Sequence, residues 1–325
     1  MGLAHSAGAS MSHCSLLFAV AVLVGVALSF SPTPADAAQP LVLDRDIAGE
    51  LTLPKTRKPH RVTRNITVRP TATLRIERGA EIAVDPGVWI TLMAGVEAIG
   101  EGDYRAVFGP SNRAAGWSGL MIAKDADITL SGLTIVGAEC GIWNWSKRNQ
   151  YPKSRVVVQD TVVTNCKTGV RLAHTGGGKD TFNEFTNCVV ADCREDGFHM
   201  QYYGGLKLVG CTVLRCGRYG VHLADLNRAE TTNTVFARND IGLATKSRKT
   251  PVTITSSVFV ASVKGHIDHE VGDEMSARGN WWGTADPRLI ARSIQDGRDL
   301  PGRGQVDARN FLTEAPENAG ASLQP

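Results

Sequence analysis

The chain repeats one short segment six times, and this repetition limits the folds that it can adopt. Each copy has an apolar stretch, a small polar turn and a second apolar stretch that begins at a glycine. These glycines are 28, 28, 23, 22 and 23 residues apart, at positions 141, 169, 197, 220, 242 and 265. One copy is too small to bury its own apolar face, so neighbouring copies must stack on each other. The repeat therefore predicts a solenoid of β-strands.

Two groups of strand-like segments upstream of the repeats indicate how many strands each coil contains. The segments are 66–68, 73–76 and 81–84, followed by 89–92, 96–99 and 106–108. Corresponding segments are 23 or 24 residues apart, which predicts three short strands in each coil. Parallel strands of adjacent coils lie about 4.8 Å apart, so that residues at equivalent positions form ladders along the solenoid. We expect one elongated all-β domain over residues 39–312.

The two ends of a solenoid expose backbone groups and need to be covered. Basic residues are concentrated between positions 55 and 78, where we expect a solvated N-terminal cap or a surface for an anionic polysaccharide or lipid head group. Asp286 and Pro287 are suited to begin a helix that ends at Gly297, and this helix would belong to a C-terminal cap. Residues 313–325 have no apolar periodicity, and we expect them to be disordered.

The first residues of the chain are typical of export. Residues 16–30 form an apolar run that is short for a membrane span, and residues 35–37 resemble a small-x-small cleavage site. No Lys or Arg precedes the run, which departs from the usual pattern. We expect residues 1–38 to be a signal peptide, with an uncleaved anchor as the alternative. The mature protein would be secreted, periplasmic or at the cell surface, and not an integral membrane protein.

The beginning and the end of the predicted domain resemble those of a known group of solenoids. The resemblance rests on ITVRPTATLRIERGAEIAVDPG, on GWSGLMI at 116–122 and on GNWWGTADPRLIARSIQDG. These segments resemble secreted bacterial right-handed parallel β-helix proteins of the pectate-lyase-like superfamily. The resemblance implies a single-stranded right-handed parallel β-helix with N- and C-terminal caps. It implies no one activity, because this superfamily includes lyases, polygalacturonases, epimerases and adhesins.

Two ladders that we expect to face outward carry residues suited to a sugar chain. The first contains Trp143, Arg171, His199, His222, Ala244 and Ile267, and the second contains Trp145, Ala173, Gln201, Ala224, Lys246 and His269. Aromatic rings stack on sugars, arginine pairs with carboxylates, and histidine moves protons near neutral pH. Close to them in sequence are His174, Tyr202, Tyr203 and Asp225. We predict that the residues that bind substrate are Trp143, Trp145, Gln201 and Tyr203.

These residues predict that an extended, acidic polysaccharide or cell-surface glycan binds along the outward sheet. The alternative is a polysaccharide lyase or epimerase, in which Arg171 neutralises a uronate carboxylate and His199 or His222 takes the neighbouring proton. Tyr202 would then protonate the leaving oxygen, and Asp225 would orient a histidine. The fingerprints of polygalacturonases and the carboxylate ladder of calcium-dependent pectate lyases are missing, so the sequence leaves catalysis open. We expect a monomer with no cofactor, and the formal net charge of +3 does not favour a nucleic-acid partner.

A weaker alternative is a periplasmic metal-handling protein. GHIDHEVGDE at 265–274 contains residue types that bind Zn²⁺ or Cu²⁺. On a strand, however, His266 and Asp268 face one way and His269 the other, which favours a polar turn, and we predict no metal site. Six cysteines remain after the signal peptide. Cys188 and Cys211 share one coil position and are the first candidates for a disulfide, with small apolar fillers as the alternative.

Overall fold

The protein is a solenoid of parallel strands arranged in three faces. The computed structural model describes residues 38–100, 104–144, 154–175, 182–225, 227–246 and 251–323. Face A consists of β1 Val42–Leu43, β3 His60–Val62, β6 Glu81–Val84, β9 Ala106–Pro110, β12 Leu133–Val136, β15 Val162–Thr164, β18 Val189–Ala191, β20 Thr212–Leu214, β23 Val235–Ala237 and β26 Val258–Val260. From β1 to β26, each strand of this face pairs in parallel with the strand that follows it in this order.

The other two faces are built in the same way. Face B consists of β4 Ile66–Val68, β7 Trp89–Leu92, β10 Gly119–Ile122, β13 Cys140–Asn144, β16 Thr168–Thr175, the first half of β19 Phe198–Val209, β21 Tyr219–Leu223, β24 Ile241–Thr245, β27 Gly265–His269 and β29 Ile294–Gln295. Face C consists of β2 Glu50–Leu53, β5 Thr73–Glu77, β8 Val96–Ile99, β11 Asp127–Ser131, β14 Arg155–Gln159, β17 Asn183–Thr186, the second half of β19, β22 Asn227–Thr232, β25 Val252–Thr255, β28 Met275–Ser276 and β30 Val306–Asp307. Three short strands in each coil are therefore confirmed.

Inward-facing ladders fill the interior of the solenoid. On face B one ladder is buried at every coil and consists of Ile66, Ile90, Leu120, Ile142, Val170, Phe198, Val221, Leu243, Ile267 and Ile294. Burying a side chain of this size contributes about 1.5–3 kcal/mol, so stacking stabilises each coil through its neighbours. The predicted inward position of Val170, Phe198, Val221 and Leu243 is confirmed.

The recurring glycines mark places where two coils approach closely. A Cβ at Gly197 would lie 2.6 Å from the carbonyl oxygen of Gly220 and 3.0 Å from Cys216 Sγ. At the last repeat the alignment on glycines was wrong. Leu243 pairs with Ile267, so Ile267 belongs to the buried ladder and the outward position next to Ala244 is taken by Asp268. The coil is one residue longer here, which shifts Gly265 out of the expected position.

The six described cysteines are buried and have free thiols. Cys188 and Cys211, the predicted disulfide candidates, donate to backbone carbonyl groups, as in the 3.2 Å bond from Cys211 Sγ to Phe185 O. Burial raises the pKa of the Cys166 thiol to about 12. These cysteines therefore occupy the structure as small apolar side chains beside the corners of face A.

The described C-terminal residues contain one helix and an irregular tail. Asp286 accepts a hydrogen bond from the backbone N–H of Arg288 and begins the helix as predicted, but the helix α1, Pro287–Arg292, ends before Gly297. We expected disorder after residue 312. Residues 313–323 form no helix or strand, yet residues 320–322 are hydrogen-bonded to Asn233, Thr212 and Asn187 on three successive coils. None of the described segments forms a helix with the length and apolar character that a membrane span requires.

Candidate functional site

The strand register of face B places the predicted residues in one outward ladder. Equivalent positions of successive coils are held by Met121, Trp143, Arg171, His199, His222, Ala244 and Asp268. Five of the six residues that we expected side by side, from Trp143 to Ala244, are therefore consecutive in this outward ladder. They lie outward because the residue before each of them belongs to the buried ladder.

A buried aspartate that the sequence analysis did not assign to this site lies beneath the two histidines. Asp196 is in the turn before β19 and is fully buried. Its Oδ2 lies 3.2 Å from His199 Nδ1 and 3.5 Å from His222 Nδ1. The first distance allows a hydrogen bond, whereas the second is beyond the usual range. His222 is also buried, and neither of its ring nitrogens has a hydrogen-bond partner within the described structure.

Arg218 compensates the charge of Asp196. Its Nε and Nη2 donate to the two carboxylate oxygens at 2.7 Å and 2.6 Å, and the backbone N–H of Tyr219 is 3.4 Å from Oδ1. Burial alone would raise the pKa of Asp196, but contacts from the two histidines and Arg218 outweigh it and hold this pKa well below its usual range. The carboxylate is therefore ionised and fixed in place.

The rings of the site are stacked along the solenoid. The His199 and His222 centroids are 4.6 Å apart, and Tyr219 lies 4.7 Å from His222. Lys246 Nζ is 5.5 Å from the centroid of the Tyr219 ring. This packing fixes His222 on both sides, while the His199 side chain keeps 16% of its surface exposed and can meet a ligand.

Arg171 lies one coil from His199 on the outward ladder. Both Arg171 and Trp143 are half-buried, and the Nε1 of Trp143 makes no hydrogen bond to a described group. The described residues give Arg171 no side-chain hydrogen bond or ion pair. The outward ladder thus presents a guanidinium group directly beside an imidazole that is oriented by a carboxylate.

Other predicted site residues form a second group at the corner between faces B and C. Tyr202 has a positive φ of 63° and its ring stacks on His174, with centroids 4.5 Å apart. Asp225 Oδ2 accepts from the backbone N–H of Tyr202 at 3.3 Å. Tyr203 stacks on the same histidine at 6.0 Å and is half exposed. Burial lowers the pKa of His174, and the nearby charge of Asp225 opposes this effect.

The aspartate beside His199 and His222 is not the one that the sequence suggested. The carboxylate that contacts His199 and His222 is Asp196, whereas Asp225 lies with Tyr202 and His174. Gln201 is next to Ala173 of the preceding coil, as expected for the second ladder. The prediction for Trp145 falls outside the described residues.

The histidines of the last coils do not form the metal site that was considered for residues 265–274. His269 donates through Nε2 to the carbonyl oxygen of Asp273 at 2.6 Å and accepts at Nδ1 from Thr245 Oγ1 at 2.7 Å. Asp268 is paired with Arg303 at 2.8 Å. His269 also pairs in register with Thr245 rather than Lys246. The ring nitrogens of His269 and the carboxylate of Asp268 are therefore already bonded within the protein, and this segment is part of the scaffold.

Comparison with known proteins identifies the fold family. A family model described as a right handed beta helix region matches residues 118–281. The chain belongs to the right-handed beta helix family. Among solved structures, this β-helix is similar to the crystal structure of pectate lyase Pel9A, with 16% sequence identity over 89% of this chain and 74% of that chain and a TM-score of 0.40. No curated protein matches the β-helix.

Sequence reasoning missed Asp196 and Arg218. Asp196 precedes His199 by three residues and lies outside the strand, so that strand alternation alone does not bring the two together. The available signal was the register: Arg218 and His222 occupy the coil above Asp196 and His199. In this β-helix a turn residue therefore completes a site whose other members lie on strands.

Proposed function

We propose that this β-helix is an exported protein that binds an extended, acidic polysaccharide along face B. The observation that carries the proposal is the outward ladder, in which Trp143, Arg171, His199 and His222 follow each other on consecutive coils. A file of side chains at regular spacing suits a polymer with a regular repeat. The guanidinium group of Arg171, which has no side-chain partner among the described residues, favours a carboxylated sugar over a neutral one.

The proposal is tested by measuring binding to polyuronates and to neutral glucans by isothermal titration calorimetry. We expect binding to the polyuronate only, and Arg171→Gln should weaken it about tenfold, because one charge-assisted hydrogen bond is worth roughly 1.5 kcal/mol or more. Arg215→Gln is the matched control, since Arg215 is already paired with Asp192 at 2.6 Å. Equal binding of neutral and acidic chains, or an Arg171 variant that binds like wild type, would contradict the proposal.

A second candidate, cleavage or epimerisation of the same polymer, is favoured by the contact between Asp196 and His199. A hydrogen bond from Nδ1–H to Asp196 places the lone pair of His199 on Nε2, which is the form of a general base. With Arg171 on the sugar carboxylate, His199 would take the proton from the adjacent carbon. The electron pair would form the carbon–carbon double bond as the glycosidic oxygen leaves, and Tyr202 is our candidate to protonate that oxygen.

This second function has its own readout. Elimination creates an unsaturated sugar that absorbs ultraviolet light, and epimerisation incorporates deuterium from heavy water at the carbon beside the carboxylate. We expect either activity to fall by at least a hundredfold in His199→Gln, a typical loss when a general base is removed. Activity that survives in the double variant His199→Gln, His222→Gln would refute the assignment of a histidine as the general base. The proposal that the protein binds a glycan would still stand.

A further inference from the structure

The ligand atoms of Asp196, His199 and His222 lie close enough together to share one metal ion. The two Nδ1 atoms are 3.2 Å and 3.5 Å from the same carboxylate oxygen, and all three atoms lie within 4.8 Å of one another. A tetrahedral ion with bonds of about 2.0–2.1 Å has ligand atoms roughly 3.4 Å apart. Two imidazoles and one carboxylate suit zinc or a neighbouring divalent transition metal rather than calcium.

His222 supplies a second, independent observation. Its side chain is about nine-tenths buried, and neither ring nitrogen has a hydrogen-bond partner within the described structure. A buried polar group without a partner is unfavourable, and such groups in native proteins are usually satisfied. Its Nδ1 lies 3.5 Å from the same carboxylate oxygen that His199 contacts. An ion at this point would give Nδ1 of His222 a partner.

We propose that Asp196, His199 and His222 bind a divalent transition metal, with Zn²⁺ as the representative ion. Arg218 would act as the outer partner that holds the carboxylate, because ligating carboxylates are themselves commonly hydrogen-bonded. The fourth position would open towards solvent on the side of His199. Because Arg218 neutralises Asp196, the bound ion keeps its positive charge and, beside Arg171, would attract an anionic group.

This inference goes beyond the proposed function and constrains its second form. An ion bound at Nδ1 of His199 places the ring proton on Nε2, so that His199 could not accept a proton from a sugar. Metal binding and general-base catalysis at His199 therefore exclude each other. We expect Zn²⁺ to inhibit any elimination activity and to leave glycan binding intact or stronger.

The experiment is equilibrium dialysis of the purified, untagged protein against Zn²⁺ alone, with Co²⁺ as a spectroscopic probe. We expect about one ion per chain and the visible absorption of Co²⁺ in a four-coordinate nitrogen and oxygen site. His199→Gln and His222→Gln should each weaken binding at least tenfold, while circular dichroism confirms that both variants are folded. Arg171→Gln and His266→Gln are the controls and should keep the ion.

The possible outcomes separate this inference from the proposed function. Absence of binding, or loss of the ion in His266→Gln but not in His222→Gln, would overturn the metal site. Retention of Zn²⁺ by a protein that binds no acidic glycan would keep the metal site and remove only the polysaccharide proposal. An Arg171→Gln variant that loses the glycan and keeps the ion would support both.

Discussion

Two regions of the β-helix contain two histidines and an aspartate each, and their hydrogen bonds differ. In the last-coil group, His266, Asp268 and His269, the ring of His269 is bonded at both nitrogens and Asp268 is paired with Arg303. In the middle group, Asp196, His199 and His222, the ring of His222 has no hydrogen bond to a described group. The two groups have the same residue types, so composition does not distinguish them. A scaffold histidine has hydrogen-bond partners at its ring nitrogens, whereas a histidine that can bind a ligand has a ring nitrogen without one.

The largest expected effect concerns the ion pair beneath the middle group. Arg218→Gln should lower the free energy of unfolding by about 3–4 kcal/mol, because it leaves the fully buried Asp196 carboxylate without its guanidinium partner. The partial exposure of Arg218 keeps this loss in the lower part of the range for buried ion pairs. Arg215→Gln, in an exposed pair of the same geometry, should lower it by less than about 1 kcal/mol. Chemical denaturation compares the two variants, and equal losses would show that burial of Asp196 does not matter.

The next effect contrasts one histidine from each group. His269→Ala should lower the free energy of unfolding by about 2–3 kcal/mol, because Thr245 and the Asp273 carbonyl lose their buried partner. His199→Ala should lower it by less than about 1 kcal/mol, since its ring is partly exposed and loses only its contacts with Asp196 and His222. Thermal unfolding of both variants checks this order. A reversed order would remove the distinction between scaffold and site.

Acid should affect the last-coil group in a defined range. Burial against Phe259 and Trp282 lowers the pKa of His266 to about 4 from 6.5. The unfolded chain therefore takes up a proton below pH 6.5 while the folded chain does not until about pH 4, so stability is full above 6.5 and falls between these values. Linkage predicts a loss of about 2 kcal/mol between pH 7 and pH 5. Denaturation curves at several pH values give the free energy of unfolding of wild type and of His266→Gln. Between pH 7 and pH 5 it should fall by about 2 kcal/mol more in wild type, and an equal fall in both proteins would contradict the prediction.

The smallest expected effect concerns Trp143, which lies on the outward ladder two coils before His199. Trp143→Ala should weaken binding of an acidic glycan about fivefold, which corresponds to about 1 kcal/mol for one aromatic contact. The same substitution should leave Zn²⁺ binding unchanged, because Trp143 lies two coils from His199. Titration calorimetry with each ligand separates the two results. An unchanged glycan affinity would limit the sugar-binding surface to the coils after Trp143.

Much of the fold was predictable because buried side chains repeat with the coil. Val170, Phe198, Val221 and Leu243 share one column in the sequence and one ladder in the structure. The position of Ile267 was not predictable in this way. A coil can gain one residue at a turn without changing its apolar pattern, and only the hydrogen-bond register shows where the extra residue lies.

The candidate site was half visible in the sequence. Arg171, His199 and His222 follow from strand alternation, because they adjoin buried positions of consecutive coils. Asp196 does not, because it is a turn residue whose side chain bends under the strand and becomes buried. Its charge is paired with Arg218, which belongs to the next coil. Such a contact between a turn and a neighbouring coil has no fixed sequence spacing.

The tail that follows the last strand changes how this solenoid can come apart. Residues 320–322 bond to Asn233, Thr212 and Asn187, and Leu323 packs near Val162 and Val189 on face A. A stack in which each turn touches only its neighbours can peel open from either extremity. In this protein the last coil is held to the middle of the solenoid, because the segment that follows it is hydrogen-bonded to three middle coils. Unfolding from the C-terminal end must therefore begin with release of this segment, which couples the stability of the last coil to that of the middle coils.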